Sequence, residues 1–307
     1  MRKNVMFTLL AMLYLLINIV VSLNSSNDEY ALLVFKYQIT DPNKILAKNW
    51  SQGTLFCNWI GITYDRRHQR VRALKLADMG LGEIDLKNNS LSRCLSMDIC
   101  YNLPKLERLR ISVNQLSGNI PQSLGTCMDL KLLSLSFNIV VPSHHKIISL
   151  TYLSYNGFSG SIPYGIGNSS TLQYLYLGEN ILTGIIPHSV GSLSNLKELA
   201  IDNNRLRGQI PNSIFNLSML QIFSLSGNSI SGNLPSSIAN GLPNLEILYL
   251  GANRLSGEIL ASISNFSKLT GLDLVDNFFS GQVPMNLGNL RNLRILSFSR
   301  NQLTNDP

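Results

Sequence analysis

Between Leu172 and Pro187 apolar and polar positions alternate and then give way to a punctuated stretch, Leu172-Gln-Tyr-Leu175-Tyr-Leu177-Gly-Glu-Asn180-Ile-Leu182-Thr-Gly184-Ile-Ile186-Pro187. The same order returns with Leu196, Leu199, Ile201 and Asn204, with Leu220, Phe223, Leu225 and Asn228, and with Leu245, Leu248, Leu250 and Asn253. Asparagines recur at Asn114, Asn138, Asn180, Asn204, Asn228, Asn253, Asn277 and Asn301, mostly 24 residues apart. A fixed period of this length marks a stack of repeats.

Each part of the unit predicts a local structure. The two-residue alternation is a short strand with one face inward, and stacked units pair such strands into a parallel sheet about 4.8 Å apart. The inward leucines fill the interior, and one unit cannot bury its own core without neighbours. The asparagine closes the turn after the strand, because its amide both donates to and accepts from backbone groups that the turn leaves unpaired. Glycine relieves the bend, and the Ile-Pro pairs at 120–121, 162–163, 186–187 and 210–211 predict extended backbone on the outer side.

The pattern breaks twice. Met79 stands where a turn asparagine is due, and Asn89 follows only 10 residues later with Ile84 and Leu86 as its strand. Asn138 and Asn156 are 18 residues apart, and Ile139-Val-Val-Pro-Ser-His-His-Lys-Ile lacks the Gly-x-Ile-Pro half. Looped or misregistered coils are expected near 79–89 and 139–156.

Ahead of the repeats, Arg2 and Lys3 precede an apolar run of 17 residues from Val5 to Val21, then Ser22. Residues 1–22 read as a secretory signal peptide cut near Ser22, the alternative being an uncleaved anchor. Sequons at Asn24, Asn49, Asn88, Asn168, Asn216 and Asn265 suit a secretory route. Asn168, Asn216 and Asn265 recur at one point of the repeat, which predicts a row of glycans on one flank.

With 45% apolar and 14% charged residues in 307, the chain is composed to bury a core. The net charge of +7 is scattered apart from Arg66, Arg67, His68, Arg70 and Arg72, and no aromatic residues interleave with it, so nucleic acid is not an expected partner. The histidines are His68, His144, His145 and His188. His144 and His145 suggest no third ligand, so no metal and no cofactor are expected. No nucleophile with a nearby base and no carboxylate pair in a cleft is suggested, which argues against an enzyme and against a small-molecule substrate.

The Gly-x-Ile-Pro half resembles the plant-type leucine-rich repeats of receptor kinases, receptor-like proteins and polygalacturonase inhibitors. Asp28-Glu-Tyr-Ala31-Leu32-Leu33-Val-Phe35-Lys36, Asn49-Trp50-Ser51 and Cys57-Asn58-Trp59-Ile-Gly61 are similar to the N-terminal cap of those proteins. Asp65-Arg-Arg-His68-Gln69-Arg70-Val71, with Leu74, Leu76 and Gly80-Leu81, resembles immune receptor kinases that recognise bacterial proteins. The resemblance implies an α/β right-handed leucine-rich-repeat solenoid with a parallel sheet on its concave face. It implies a helical cap over 23–68, repeats over 69–301, and 302–307 as a truncated end without a cap.

The sequence departs from that family in places. Tyr64 occupies the second cap-cysteine position, so the cap disulfide to Cys57 is lost. Cys94, Cys100 and Cys127 remain, and Cys100 and Cys127, in successive coils, are a candidate pair whose geometry spacing leaves open. No kinase motif is present, so kinase chemistry does not carry over. What the resemblance implies is an extracellular ectodomain that binds a peptide or protein ligand, with a possible membrane co-receptor. The alternatives are a secreted polygalacturonase-inhibitor-like protein and a decayed receptor fragment without function. The expected ligand surface is the solvent-facing column of the concave strands, with Arg108, Arg110, Tyr176, Glu179, Asp202, Tyr249, Asp273, Asp276 and Arg300.

Overall fold

The computed structural model of the chain describes residues 91–136 and 156–304 without a break, together with parts of 29–88. The signal segment 1–22, Asn24, Cys57, the basic cluster from Arg66 to His68, and His144 and His145 lie outside the described residues.

Nine strands stack in parallel register: Glu83–Asp85, Arg108–Arg110, Leu132–Ser134, Tyr174–Tyr176, Glu198–Ala200, Ile222–Ser224, Ile247–Tyr249, Gly271–Asp273 and Ile295–Ser297. Ile39–Thr40 pairs antiparallel to Glu83–Asp85 and covers that edge. The central residue of each strand points inward, and Ile84, Leu109, Leu133, Leu175, Leu199, Phe223, Leu248 and Leu272 are all buried. Because every coil contributes at the same height, the core is one continuous column. At the front, a short helix over Ile45–Asn49 brings Leu46 and Trp50 inward, and Trp50 stacks on Trp59 with ring centroids 5.5 Å apart.

The asparagines form a ladder that ties coil to coil. Asn204 donates to the carbonyls of Leu177 one coil back and of Ile201 and Asp202 in its own coil, at 3.0, 3.2 and 3.1 Å. Its Oδ1 accepts from the Leu182 N–H at 2.9 Å, two residues beyond the previous ladder asparagine. Asn180, Asn228, Asn253, Asn277 and Asn301 repeat this arrangement, as does Asn114. The residue before each asparagine is left-handed, at φ 50 to 56° for Asn88, Val113, Glu179, Asn203, Ala252, Asp276 and Arg300. That conformation aims its N–H at the next coil, as Glu179 does toward the Asp202 carbonyl at 2.8 Å.

The outer side is more ordered than extended backbone alone requires. Arg205–Gln209, Ser229–Asn233, Arg254–Glu258, Phe278–Gln282 and their neighbours pair into a second six-stranded parallel sheet, with a three-stranded one ahead of it. The glycine of the repeat sits there at φ 71 to 93°, and a Cβ on Gly208 would come within 2.9 Å of Ile185 Cγ2, so glycine serves both conformation and close stacking. Pro121, Pro163, Pro187, Pro211 and Pro284 are extended and open 3₁₀ turns, for example Asn212–Asn216. Cys100 and Cys127 are joined by a disulfide between successive coils, with Cα atoms 5.1 Å apart.

The irregularities expected near 79–89 and 139–156 fall largely outside the described residues, while the strands flanking them are in register. Ile62–Asp65 and Arg70–Leu74 form an antiparallel hairpin, and Glu83–Asp85 starts the parallel sheet in register with Arg108–Arg110. No coil therefore has to close within 10 residues of Met79. At the second, Leu132–Ser134 pairs directly with Tyr174–Tyr176, and Asn156 takes the ladder position that Asn138 was expected to hold. Asn156 donates to the carbonyls of Ile111 and Leu135 and accepts from the Leu116 N–H. Residues 137–155 lie outside the described residues, and the strands before and after them keep unbroken parallel register.

Two outcomes follow. Asn253→Asp puts a carboxylate against the carbonyls of Leu225, Leu250 and Gly251 and should cost about 3 kcal/mol in urea unfolding. Asn195→Asp, whose amide reaches only the exposed Ser170 carbonyl, should cost under about 1 kcal/mol; equal losses would show that the ladder is not special. Deleting Asn138–Tyr155 joins Phe137 to Asn156 and restores a spacing of 24 on either side. The shortened chain is expected to fold, with a stability gain of up to about 2 kcal/mol from the shorter loop. Loss of cooperative unfolding would assign those residues to the core.

Candidate functional site

The nine proposed contact residues do not share one column. Counting back from the ladder asparagine, Arg108 stands at the sixth position, while Arg110, Tyr176, Tyr249 and Asp273 stand at the fourth, all on the parallel strands. Asp202 stands at the second, past the strand. Glu179, Asp276 and Arg300 occupy the left-handed turn itself and line the rim of the concave face.

Several of these side chains are already engaged. Arg110 pairs with Glu83 one coil back and lies 3.8 Å from Asp85, while Arg108 reaches Glu83 at 3.4 Å. Tyr176 donates its hydroxyl to Glu198 at 2.6 Å, so the two act as one unit across adjacent coils. Burial, then the Glu198 hydrogen bond and charge, push the Tyr176 phenol far above its ordinary value. Burial and the nearby Asp273 charge raise Tyr249 as well. Its ring lies over the next coil, where a Cβ on Gly271 would meet the hydroxyl at 2.9 Å. Arg300 is paired with Asp276 at 2.9 Å.

Asp202 is held from the next coil: its Oδ1 accepts from the Ser226 N–H at 3.0 Å and from the Ser224 hydroxyl. Burial nonetheless raises its carboxyl above the usual range, since these bonds oppose the shift without cancelling it. Glu179 is raised for the same reason, opposed by a bond from the Asn203 amide and helped by the Asp202 charge.

Sequence reasoning missed a column. Tyr174, Ile222, Ile247 and Ile295 occupy the sixth position before the asparagine, Leu132 is in register with them, and all five are partly or largely exposed. With Tyr176 and Tyr249 they form an apolar track across the strands, and the Tyr174 and Tyr176 ring centroids are 6.4 Å apart. The signal was present as apolar residues at a position that a solvated strand fills with polar ones. It was masked because each sits beside a core leucine. No group of three or more histidine, cysteine or carboxylate side chains gathers to hold a metal among the described residues.

Residues 170–230 match the family Leucine rich repeat, 105–127 and 244–266 match Leucine Rich Repeat segments, and 25–63 match the Leucine rich repeat N-terminal domain. The ectodomain of the plant membrane receptor kinase GASSHO1/SCHENGEN3 from Arabidopsis thaliana, solved with CASPARIAN STRIP INTEGRITY FACTOR 2, superposes with a TM-score of 0.64. It is 33% identical over 89% of this chain and 32% of its own. The chain folds as a leucine-rich-repeat solenoid and is similar to plant receptor ectodomains. This solenoid is also 35% identical over 110 residues to the LRR receptor-like serine/threonine-protein kinase EFR of Arabidopsis thaliana, covering 35% of the chain and 10% of that kinase. Its matches span from 8% to 15% of the curated relatives' lengths, within their repeat regions. A plant ice-binding protein shares the architecture over 91% of this solenoid and 88% of its own chain, with TM-score 0.56 and 25% identity.

The Asp202 environment gives a pH test. Folding raises this carboxyl, so its contribution to stability is present below the unfolded value near 4 and is lost as pH rises through the folded value. Asp202→Asn keeps an acceptor for Ser226 while removing the charge. The variant is expected to melt higher than the parent at neutral pH, with the difference shrinking toward about pH 4. A variant that melts lower at neutral pH would mean that the buried charge itself is stabilising.

Proposed function

We propose that this solenoid is an extracellular recognition surface that binds an extended peptide or protein segment across its concave strands, and that it performs no catalysis. The observation that carries the reading is the apolar track of Leu132, Tyr174, Ile222, Ile247 and Ile295 with Tyr176 and Tyr249, exposed on a rigid parallel sheet. Tyrosines that are already fixed lose little freedom on contact, which suits them as anchors. Five strands carry the track, from Leu132–Ser134 to Ile295–Ser297; the seven strands between these limits span about 29 Å, which an extended peptide of roughly nine residues would cover. Similarity to the ectodomain of the Arabidopsis receptor kinase HAESA, solved in complex with the peptide hormone IDA and the co-receptor SERK1, supports a peptide ligand and a co-receptor as second partner.

The signal-peptide reading of 1–22 and the sequons support the extracellular placement, with the cap over 23–68 and the repeats over 69–301 as the corresponding domains. Asn168, Asn216 and Asn265 each end a 3₁₀ turn and are exposed, so glycans there would leave the concave strands clear. Asn49 and Asn88 are exposed as well, and Asn88 lies on the rim beside the first coil. A glycan on it would direct a ligand toward the later coils, where the track is. Among the described residues, no helix is long and apolar enough to cross a membrane.

Immobilised full-length protein should retain extracellular peptides whose affinity falls by about 30-fold or more when Tyr176→Ala and Tyr249→Ala are combined. Tyr164→Ala, on a 3₁₀ turn and 67% exposed, should change nothing. Unaltered binding by the double variant would move the ligand site off the concave face.

A further inference from the structure

The charge of the concave face changes along the stack. In the first coils cations and carboxylates neutralise one another: Arg108 and Arg110 reach Glu83, and Lys87 lies 3.3 Å from Asp85. Over the strands and turns at 174–180, 198–204, 222–228, 247–253 and 271–277 stand five carboxylates, Glu179, Glu198, Asp202, Asp273 and Asp276, and no lysine, arginine or histidine. The chain as a whole carries +7, so its cations lie on other faces, among them Arg205, Arg207 and Arg254 on the second sheet. Asp276 is paired with Arg300; among the described residues the other four have no cation within 4.0 Å.

Glu198 accepts from the Tyr176 hydroxyl and Glu179 from the Asn203 amide. Asp202 and Asp273 are likewise held by neutral donors alone. Asp202 Oδ1 accepts from the Ser224 hydroxyl and from the Ser226 N–H at 3.0 Å, and Asp273 Oδ1 accepts from the Val275 N–H at 3.0 Å. A Cβ on Gly251 would meet both Asp273 carboxylate oxygens at 3.3 Å, so this side chain leans back over the coil that carries Tyr249. Each of the two has a described coil on either side, so their lack of a cation is a property of the middle of the stack. Burial already raises the Asp202 carboxyl, and an arriving cation would favour its charged form.

The coils of Asp202 and Asp273 are three steps apart, about 14 Å at the spacing of parallel strands. An extended peptide laid along the stack covers that distance in about four residues, and because its side chains alternate, the residue midway points the same way as the two ends. Midway between the two carboxylates lie Ile222, Ile247 and Tyr249 of the apolar track. We propose that the peptide bound by the concave face is basic, with lysine or arginine at two positions four residues apart and an apolar residue midway between them. The cations meet Asp202 and Asp273 in charge-assisted hydrogen bonds, the apolar residue meets the track, and an acidic segment is repelled. This inference rests on the concave face being the peptide surface.

The test is selection of a randomised library of peptides of roughly nine residues against the immobilised full chain, followed by titration of the best binder. Selected peptides are expected to share lysine or arginine at positions i and i+4 with an apolar residue at i+2. Asp202→Asn with Asp273→Asn should weaken such a peptide by at least about 10-fold, while each keeps an acceptor oxygen for Ser226 or Val275. Asp98→Asn with Glu258→Gln removes the same charge from exposed positions on other faces and should leave binding unchanged. Equal loss in both double variants would reduce the effect to net charge and overturn the assignment. Binders that weaken with Tyr176→Ala and Tyr249→Ala but carry no basic pair would overturn this inference and leave the peptide surface standing. A library that yields no binder sensitive to those tyrosines would overturn both.

Discussion

Everything in this structure depends on how a tight coil disposes of its backbone polar groups. Inside each turn, N–H and C=O groups point toward a core of leucine where no water can reach them, and an unpaired group there costs about 1 to 3 kcal/mol. The ladder asparagine settles three carbonyls and one N–H at once, and two of its partners belong to the neighbouring coil. Stacking is therefore built into the solution for a single turn. An aspartate carries no hydrogens to donate when ionised, and a leucine neither donates nor accepts.

The same constraint explains where the chain tolerates disruption. Between the strand and its asparagine the backbone needs only to arrive at the right place with the amide correctly presented. Asn156, 18 residues beyond Asn138 in sequence, makes the ladder contacts to Ile111, Leu135 and Leu116. The strands before and after residues 137–155 keep their register because they pair with one another. A solenoid distributes its stability over neighbouring contacts, so an excursion within one coil leaves the next coil's surroundings unchanged.

Function is then a matter of which side chains the regular frame leaves over. On the concave side, each strand presents two outward positions at a fixed spacing, and the apolar track and the two anchoring tyrosines occupy them. On the strand-entry flank, ion pairs join Lys105 to Asp129 and Lys131 to Glu107 across adjacent coils. Glu179 in the left-handed turn and Asp202, two residues before its ladder asparagine, both have their carboxyls shifted upward by burial.

The sequence by itself determined the repeat, the strand positions, the core leucines and the role of the asparagine, because these recur at a fixed period and each follows from local geometry. It also placed Cys100 and Cys127 in adjacent coils. What it could not determine was anything that depends on which coil meets which. Asn138 has the surroundings of a ladder residue in sequence, yet Asn156 takes the place, since only the packed stack shows which amide reaches Ile111 and Leu135. Arg110, Tyr176 and Glu198 read as separate surface residues until neighbouring coils bring Glu83 against Arg110 and Glu198 against Tyr176. The apolar track was likewise decided by the tertiary structure, because a column across coils joins residues about 24 apart that no local pattern connects.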